Sequence, residues 1–439
     1  MMSIPLSFPD YTADIDCFLK RLFPIVRSIT GNGNRDTLRV LQEIIPLTIK
    51  EYPTNQKVYD WVIPEEWNIR DAWVKDSKGN KVIDFKNNNL HVMSYSSPVK
   101  KRMHYKDLRK HLFCLPKLPE AIPYRTSYYE NNWGFCLSYD DFQKKFDVNS
   151  EYDVFIDSSF TEGTLSIGEL IIRGKSKKEY LISTYICHPA LANDNLSGVI
   201  LSAFLAKELL NKVLNFSYRI IFVPETIGAI AYCANNEDEM KNIDCGFLVS
   251  CVGGPGTIGY KQSFKKNHYI NAIIERSFQG HNVDYITYPF DINGSDERQY
   301  SSQGFRINMA SITKDKYYEY NCYHTSLDNL DYVKAESINK SLMFYLCSVN
   351  QLDKNITYQN VYQNCEVMLG KHGVYPKIGG MQRPNDNINN ELDIIRWLLF
   401  YCDGHMTLHE ISAEANITIE ILYQIAIKLE EKEILRRVG

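Results

Sequence analysis

No apolar run in this 439-residue chain approaches the roughly 18 residues that a membrane-crossing helix needs. There is no Cys-x-x-Cys pair, and the 11 cysteines are scattered and odd in number, which argues against a complete disulfide framework. The expected setting is a reducing cytoplasm, with most cysteines acting as small buried apolar residues. The start, Met1-Met2-Ser3-Ile4-Pro5, lacks a basic segment followed by an apolar stretch, so no signal peptide is expected. Neither charge is in excess: 49 Lys and Arg stand against 53 Asp and Glu, a net of −4. Nucleic acid is therefore not the expected main partner, because phosphate binding needs a basic face. With 16 Pro and 23 Gly, collagen-like and disordered classes are also excluded.

What remains is a globular chain that is 44% apolar and 13% aromatic, with 30 Tyr. At about 150 residues per domain it is long enough for two or three domains. Its aromatic richness suits an open cleft for sugars or peptides, and a large core equally well.

The patterning changes twice along the chain. Tyr11–Ser28 and Arg35–Ile45 read as helices separated by Gly31-Asn32-Gly33-Asn34. From about Tyr52 to Tyr139 short alternating runs dominate: Lys57–Val62, Ala72–Asp76 and Lys81–Phe85, the last two separated by the turn Asp76-Ser77-Lys78-Gly79-Asn80. Strands and helices then alternate. Glu179–Cys187, Tyr218–Val223 and Cys245–Val252 read as strands. Ser197–Lys212, Thr226–Asn235, Ile270–Phe278 and Glu336–Leu352 read as helices. This order predicts an α/β fold with a mixed central sheet flanked by helices. Residues 353–390 look irregular. Three helical segments follow, Asp393–Cys402, Leu408–Ala415 and Ile419–Glu431, and Leu435–Val438 starts a wing, which outlines a winged helix.

Three motifs carry metal and proton-transfer chemistry. In Cys187-His188-Pro189 an imidazole leaves the carboxyl end of a strand, and Asp194 follows before the next helix. Ligands gather at the carboxyl ends of strands in such sheets, and a histidine nitrogen with an aspartate oxygen suits zinc. Glu225, in Pro224-Glu225-Thr226-Ile227-Gly228, also ends a strand and can move a proton between water and a departing amine. His324 lies in the polar loop Tyr323-His324-Thr325-Ser326-Leu327-Asp328, where Asp328 can hold its second nitrogen. Each has a plainer reading: a satisfied core histidine, a helix N-cap, a first-turn surface carboxylate, and a solvated loop histidine.

Together these residues resemble the zinc aminopeptidases that include bacterial leucyl aminopeptidase. The carriers are Asp194-Asn195-x-Ser197-Gly198, Glu225 before Ile227-Gly228, Asp296 in Gly294-Ser295-Asp296, and Tyr323-His324-Thr325 with Asp328, in that order. The chain is more closely similar, over nearly its whole length, to bacterial polysaccharide-biosynthesis proteins with an aminopeptidase-like domain. Blocks such as Arg27–Gly31, Asp60–Ile69, Trp133–Cys136, Gly294–Tyr300 and Tyr375–Gly379 carry that likeness. It implies an aminopeptidase-like domain (1–48 and 145–355) interrupted by a β-rich insertion (49–144), then a linker and winged helix (356–439). It makes His188 and His324 metal ligands, Asp194 the carboxylate that bridges two metals in relatives, and Glu225 the general base. Two departures thin the metal set: Thr226 stands where relatives have a second Glu, and Ser250-Cys251 where they have a later Asp. The expectation is therefore one zinc per chain held by His188, Asp194 and His324, with Cys251 as either a thiolate ligand or a packed strand cysteine.

The expected activity is hydrolysis of an amide bond in a small peptide or an amino-sugar precursor of surface polysaccharide. Asp296, Arg298 and Tyr323 are the expected substrate contacts and Asp328 the outer support. Arg298 could instead pair with Asp296 or Glu297. Tyr124, Tyr128, Tyr129, Trp133 and Phe135 form either a cleft wall or the insertion's own core. The alternative function is a non-catalytic binding or regulatory protein using the winged helix. Glu420, Glu430 and Glu431 against the single Lys428 argue against DNA, and favour protein contact or a homo-oligomer.

Overall fold

The computed structural model describes residues 8–375 and 391–438. The Met1–Pro5 start, most of the Tyr375–Gly379 block and residues 376–390 lie outside the described residues. Glu179–Tyr185 is buried at every position, as a near-continuous apolar run requires of a strand covered on both faces. It lies within an eight-stranded mixed sheet. The spatial order is Thr48–Pro53, Thr164–Ile172, Ser217–Val223, Glu179–Tyr185, Cys245–Leu248, Asn308–Thr313, Gly259–Lys261 and Ile286–Tyr288. Four adjacent strands, from Ser217–Val223 through Asn308–Thr313, run parallel. Their neighbours on either side, Thr164–Ile172 and Gly259–Lys261, run antiparallel to them. The carboxyl ends at Tyr185, Val223 and Leu248 therefore open onto the same edge of the sheet.

Strand alternation divides the core. Tyr180, Ile182, Ile220 and Phe222 pack with residues of the helices Thr12–Leu22, Gly198–Leu210, Tyr269–Gln279 and Ala335–Leu352. Leu181, Tyr185, Ile221 and Val223 pack instead with the helix Ile227–Asn235 and with Trp67 and Tyr95 of the insertion. The mixed α/β architecture expected from the alternating elements is the one observed.

Local differences have local causes. The first helix stops at Leu22 rather than Ser28, because Pro24 cannot donate the next helical hydrogen bond. The second spans Asn32–Leu41, starting inside the Gly-Asn stretch. The Lys57–Val62 run forms two two-residue strands, folded back through Tyr59 at φ 57°. The Asp76–Asn80 turn forms as read, with the Asp76 carboxylate accepting the backbone N–H groups of Lys78 and Asn80.

The edges of the insertion move at both ends. Glu151–Thr161, assigned above to the α/β part, pairs with Glu66–Lys75 and Val99–His104 in the insertion's four-stranded sheet. Thr48–Pro53, assigned mostly to the insertion, pairs with Thr164–Ile172 in the main sheet. Backbone pairing, which texture does not display, decides both. The segment read as irregular after Asp353 also contains a strand, Thr357–Asn360. It lies between Asp403–Thr407 and Leu435–Arg437. The three C-terminal helices are Glu391–Tyr401, Leu408–Ala415 and Ile419–Glu431. A Thr407/Glu410 capping box starts the second. Asn355 accepts the His409 N–H in a buried bond, and Arg437 donates to Asn215 in a half-buried one, so this unit is fastened to the rest of the chain by polar contacts. Among the described residues, no helix is long and apolar enough to cross a membrane.

His409 is buried and its pKa is lowered to about 3, by burial first and then by the charge of Arg276. In the unfolded chain it titrates near its ordinary value of 6.5. Between pH 6.5 and 3 the unfolded state therefore holds a proton that the folded state rejects. Stability falls as pH drops through that window, by up to about 1.4 kcal/mol per pH unit. Replacing the ring in His409→Leu should flatten the decline in melting temperature between pH 6.5 and 5 relative to the parent. Parallel declines would contradict this account.

Candidate active site

The chain turns sharply where Glu179–Tyr185 hands over to the helix Gly198–Leu210. A Cβ on Gly198 would lie 2.3 Å from Asn195 Oδ1 and 2.4 Å from the Val249 carbonyl, so glycine lets the helix begin against the strand ends. The intervening turn, Ala192–Ser197, is wholly buried. The Asp328 carboxylate fixes it by accepting the N–H groups of Asn193 (2.6 Å) and Asp194 (2.9 Å) and the Tyr320 hydroxyl (3.0 Å). Burial raises the pKa of Asp328 to about 7, with the two N–H donors opposing. This corrects the expected role of Asp328: it supports the Asp194 backbone, because its carboxylate is already engaged there, rather than holding the second nitrogen of His324.

Asp194 points into the space between the two predicted histidines. Its Oδ1 accepts the Tyr185 hydroxyl at 2.5 Å. Its Oδ2 lies 3.0 Å from His324 Nε2 and 4.0 Å from His188 Nε2. Asp194 Oδ2 and His324 Nε2 are both buried, yet neither makes a hydrogen bond among the described residues, even to each other. The ligand atoms of His188, Asp194 and His324 all fall within 4.8 Å of one another. Ligands about 2.0–2.1 Å from a tetrahedral zinc stand about 3.3 Å apart, so the three residues fit such an ion.

The ionisation states agree with ligand chemistry. Burial lowers the pKa of His188 to about 4, leaving a neutral imidazole at pH 7. Burial opposes the charge on Asp194, but the two imidazoles and Tyr185 outweigh it and lower its pKa to about 2. His188 is fixed from behind: its carbonyl accepts from the buried Arg27 Nε at 3.0 Å, and its Nδ1 lies 3.4 Å from Cys187 Sγ. His324 occupies a left-handed conformation, φ 54°. Its carbonyl accepts the Tyr124 N–H, and its ring stacks on Tyr323 at 3.9 Å.

Glu225 enters from the end of Ser217–Val223. Its Oε2 is 3.8 Å from His188 Nε2 and its Oε1 accepts the Ser295 hydroxyl at 2.5 Å. The side chain keeps 29% of its surface, but crowding by protein and the Asp194 charge raise its pKa to about 7, against the Ser295 bond. Thr226, next in sequence, has φ 65° and ψ −78°, and Ile227 N–H reaches back to the Glu225 carbonyl at 2.9 Å. That is a γ-turn of the strained form, which a β-branched residue rarely adopts.

The expected substrate contacts separate. Tyr323 lies against His324. Arg298 is exposed, donates only to the Ser295 carbonyl (3.2 Å) and forms no ion pair with Asp296 or Glu297 among the described residues. Asp296 is fully enclosed and accepts the Thr226 N–H at 2.7 Å, so direct substrate contact is corrected to support of the turn. Glu297 is likewise buried, bonded to Lys261 and Tyr317. Cys251 is buried outside both metal-competent groups; Cys187 belongs to one, with His188 and Glu225.

The aromatic run divides. Tyr124 lies 5.2 Å from the His188 ring and 5.1 Å from that of His324, with its hydroxyl 2.7 Å from that of Tyr128. Phe135 and Trp133 pack into the insertion's core. Sequence reasoning missed Tyr185, Ser295, Arg27 and the metal-competent Cys187 as parts of the site. Arg27, Cys187 and Ser295 carried a signal as members of the blocks named above, and Tyr185 as part of the strand that leads into His188.

Comparison with known proteins bears on the family and the fold. The family described as a domain of unknown function, DUF4910, matches residues 17–355, and a winged helix-turn-helix family matches residues 356–437. A Clostridium acetobutylicum protein described as a polysaccharide biosynthesis protein with an aminopeptidase-like domain is 43% identical over 422 residues, 96% of this chain and 95% of the relative. A crystal structure described as a peptidase from that organism is 40% identical, with a TM-score of 0.84 over 97% of this chain and 96% of its own. The zinc aminopeptidase BSAP from Bacillus subtilis shares the fold, with a TM-score of 0.57 at 13% identity over 79% of this chain and 96% of its own.

The Asp328 contacts make a direct prediction. Asp328→Asn keeps the shape but cannot accept at both oxygens, leaving one buried N–H unpaired. Urea unfolding should show a loss of about 1–3 kcal/mol, and Tyr320→Phe a loss of about 1 kcal/mol. An Asp328→Asn protein as stable as the parent would contradict the support role.

Proposed function

We propose a function from one premise: this chain belongs to the DUF4910 family and has an aminopeptidase-like fold joined to a winged helix. It is a zinc-dependent hydrolase that cleaves an amide bond. His188, Asp194 and His324 hold one zinc ion. The observation that carries the reading is the convergence of Asp194 Oδ2 and His324 Nε2, 3.0 Å apart, buried and without hydrogen bonds, beside a neutral His188.

When bound there, zinc supplies Lewis acidity, which polarises an amide carbonyl and makes water easier to deprotonate. Glu225 takes the proton of the attacking water at its carboxylate and returns it to the departing nitrogen. A pKa near 7 suits both halves of that task. Tyr124 and Tyr323 wall the two imidazoles and limit access of bulk water. Arg298, exposed beside Ser295, anchors a substrate carboxylate through its free guanidinium nitrogens.

The substrate is a small peptide or an amino-sugar amide used in making surface polysaccharide, in the cytoplasm. The C. acetobutylicum relative's description supports the link to polysaccharide synthesis. The winged helix makes protein contacts, including contacts between copies of the chain. The outward side of Ile419–Glu431 presents Glu420, Gln424, Lys428 and Glu431, a poor match to phosphate.

Glu225→Gln tests the reading. The substitution preserves volume but removes the proton acceptor. On a panel of amino-acid p-nitroanilides and N-acyl amino sugars, turnover should fall by about 10²–10⁴-fold with zinc content unchanged. Loss of zinc would move Glu225 into the ligand set, and unchanged hydrolysis would remove it from the mechanism.

A further inference from the structure

We infer that the loop Gly294–Glu297 is a two-point clamp on Glu225, with Ser295 a positioning residue for its carboxylate and Asp296 the anchor of the strained turn beneath it. This rests on the reading of Glu225 as the general base and adds how that base is aimed. The first point of the clamp is the 2.5 Å bond from the Ser295 hydroxyl to Glu225 Oε1. With Oε1 engaged, Oε2 is the oxygen turned toward His188, 3.8 Å from its Nε2. The second point is the Thr226 N–H, accepted by Asp296 Oδ1 at 2.7 Å. Thr226 occupies the unusual γ-turn that follows the base, a strained conformation that persists only when its surroundings enforce it.

The clamp is itself rigidly mounted. Glu297 Oε2 accepts the Ser295 N–H at 2.9 Å, and its Oε1 accepts from Lys261 Nζ at 2.7 Å and the Tyr317 hydroxyl at 2.6 Å. Lys261 Nζ also donates to the Asn293 carbonyl at 3.0 Å. Lys261 and Glu297 are both almost fully buried, and a buried pair this well satisfied resists displacement. A side chain at Gly294 would fall 2.1 Å from Glu297 Oε1, so the loop closes on its mount only with glycine there. Every residue of Gly294-Ser295-Asp296-Glu297 thus has a physical task directed at Glu225, and neither carboxylate needs to touch substrate.

The experiment compares the parent, Ser295→Ala, Ser295→Thr, Glu225→Gln and the double variant Glu225→Gln/Ser295→Ala. Ser295→Ala should lower kcat by about 10–100-fold, the scale of a misplaced catalytic group, while KM stays within about 2-fold. Ser295→Thr keeps the hydroxyl and should recover most of the loss. In the Glu225→Gln background Ser295→Ala should add no further loss, because the group it positions is no longer a base. Additive losses, or a loss confined to KM, would overturn the inference. Crystal structures of the parent and Ser295→Ala decide it without turnover. A Glu225 carboxylate rotated away from His188 in the variant supports the clamp, and an unmoved one overturns it. If Glu225→Gln alone leaves hydrolysis intact, the base assignment fails, and the two crystal structures still decide whether Ser295 positions that side chain.

Discussion

The buried charge of Asp194 is the constraint around which this molecule is arranged. A carboxylate enclosed at 1% exposure is costly unless its oxygens are matched. Tyr185 matches one oxygen, and the chain supplies no hydrogen bond to the other among the described residues. The surrounding features keep that oxygen in place. Parallel strands bring Tyr185 and Val223 to the same edge, Gly198 lets the helix start close to Val249, and Asp328 holds the backbone of the turn. Two imidazoles from positions 136 residues apart then face the same oxygen. Such a geometry is suited to a cation, and it draws one side chain from a strand end, one from a tight turn and one from a long loop.

How much of this could be read from the sequence depended on the range of the interaction. The apolar runs of Glu179–Tyr185 and Ser217–Val223 and the helix Leu408–Ala415 have local causes, and their positions were legible. His188, Asp194, Glu225 and His324 stood out because each sits at a strand end or in a polar loop that packing does not explain. The partners of those residues were not legible. Asp328 lies four residues from His324 but bonds across 134 positions to Asp194, and the reach of a carboxylate across a fold leaves no periodic trace. Asp296 looked like a substrate contact, and Glu297 like a partner for Arg298. Their burial depends on Lys261 and Thr226, which are distant in sequence. The insertion's edges failed for a similar reason: Glu151–Thr161 alternates like any half-buried strand, and only hydrogen-bond pairing assigns it to a sheet.

The insertion also shapes the site from outside the main sheet. Pro123 bridges Thr325, Ile122 and Ser326 exchange hydrogen bonds, and Tyr124 donates its N–H to His324. The loop that carries His324 is thereby held in its left-handed conformation by a segment of the β-rich unit. From the same unit, the Tyr124 ring lies against both histidine rings, and its hydroxyl meets that of Tyr128. The winged helix is fastened near Asn215 and Asn355, and Asn215 precedes the amino end of Ser217–Val223, the opposite end of that strand from Glu225.

The most direct test of the account is the metal itself. Crystals of the freshly purified protein, measured on both sides of the zinc absorption edge, should show one anomalous peak bounded by His188, Asp194 and His324, with about one zinc per chain by elemental analysis. Two peaks, a peak at Cys187 or Cys251 away from Asp194, or protein that takes up no zinc while His188 and His324 remain in place would contradict it.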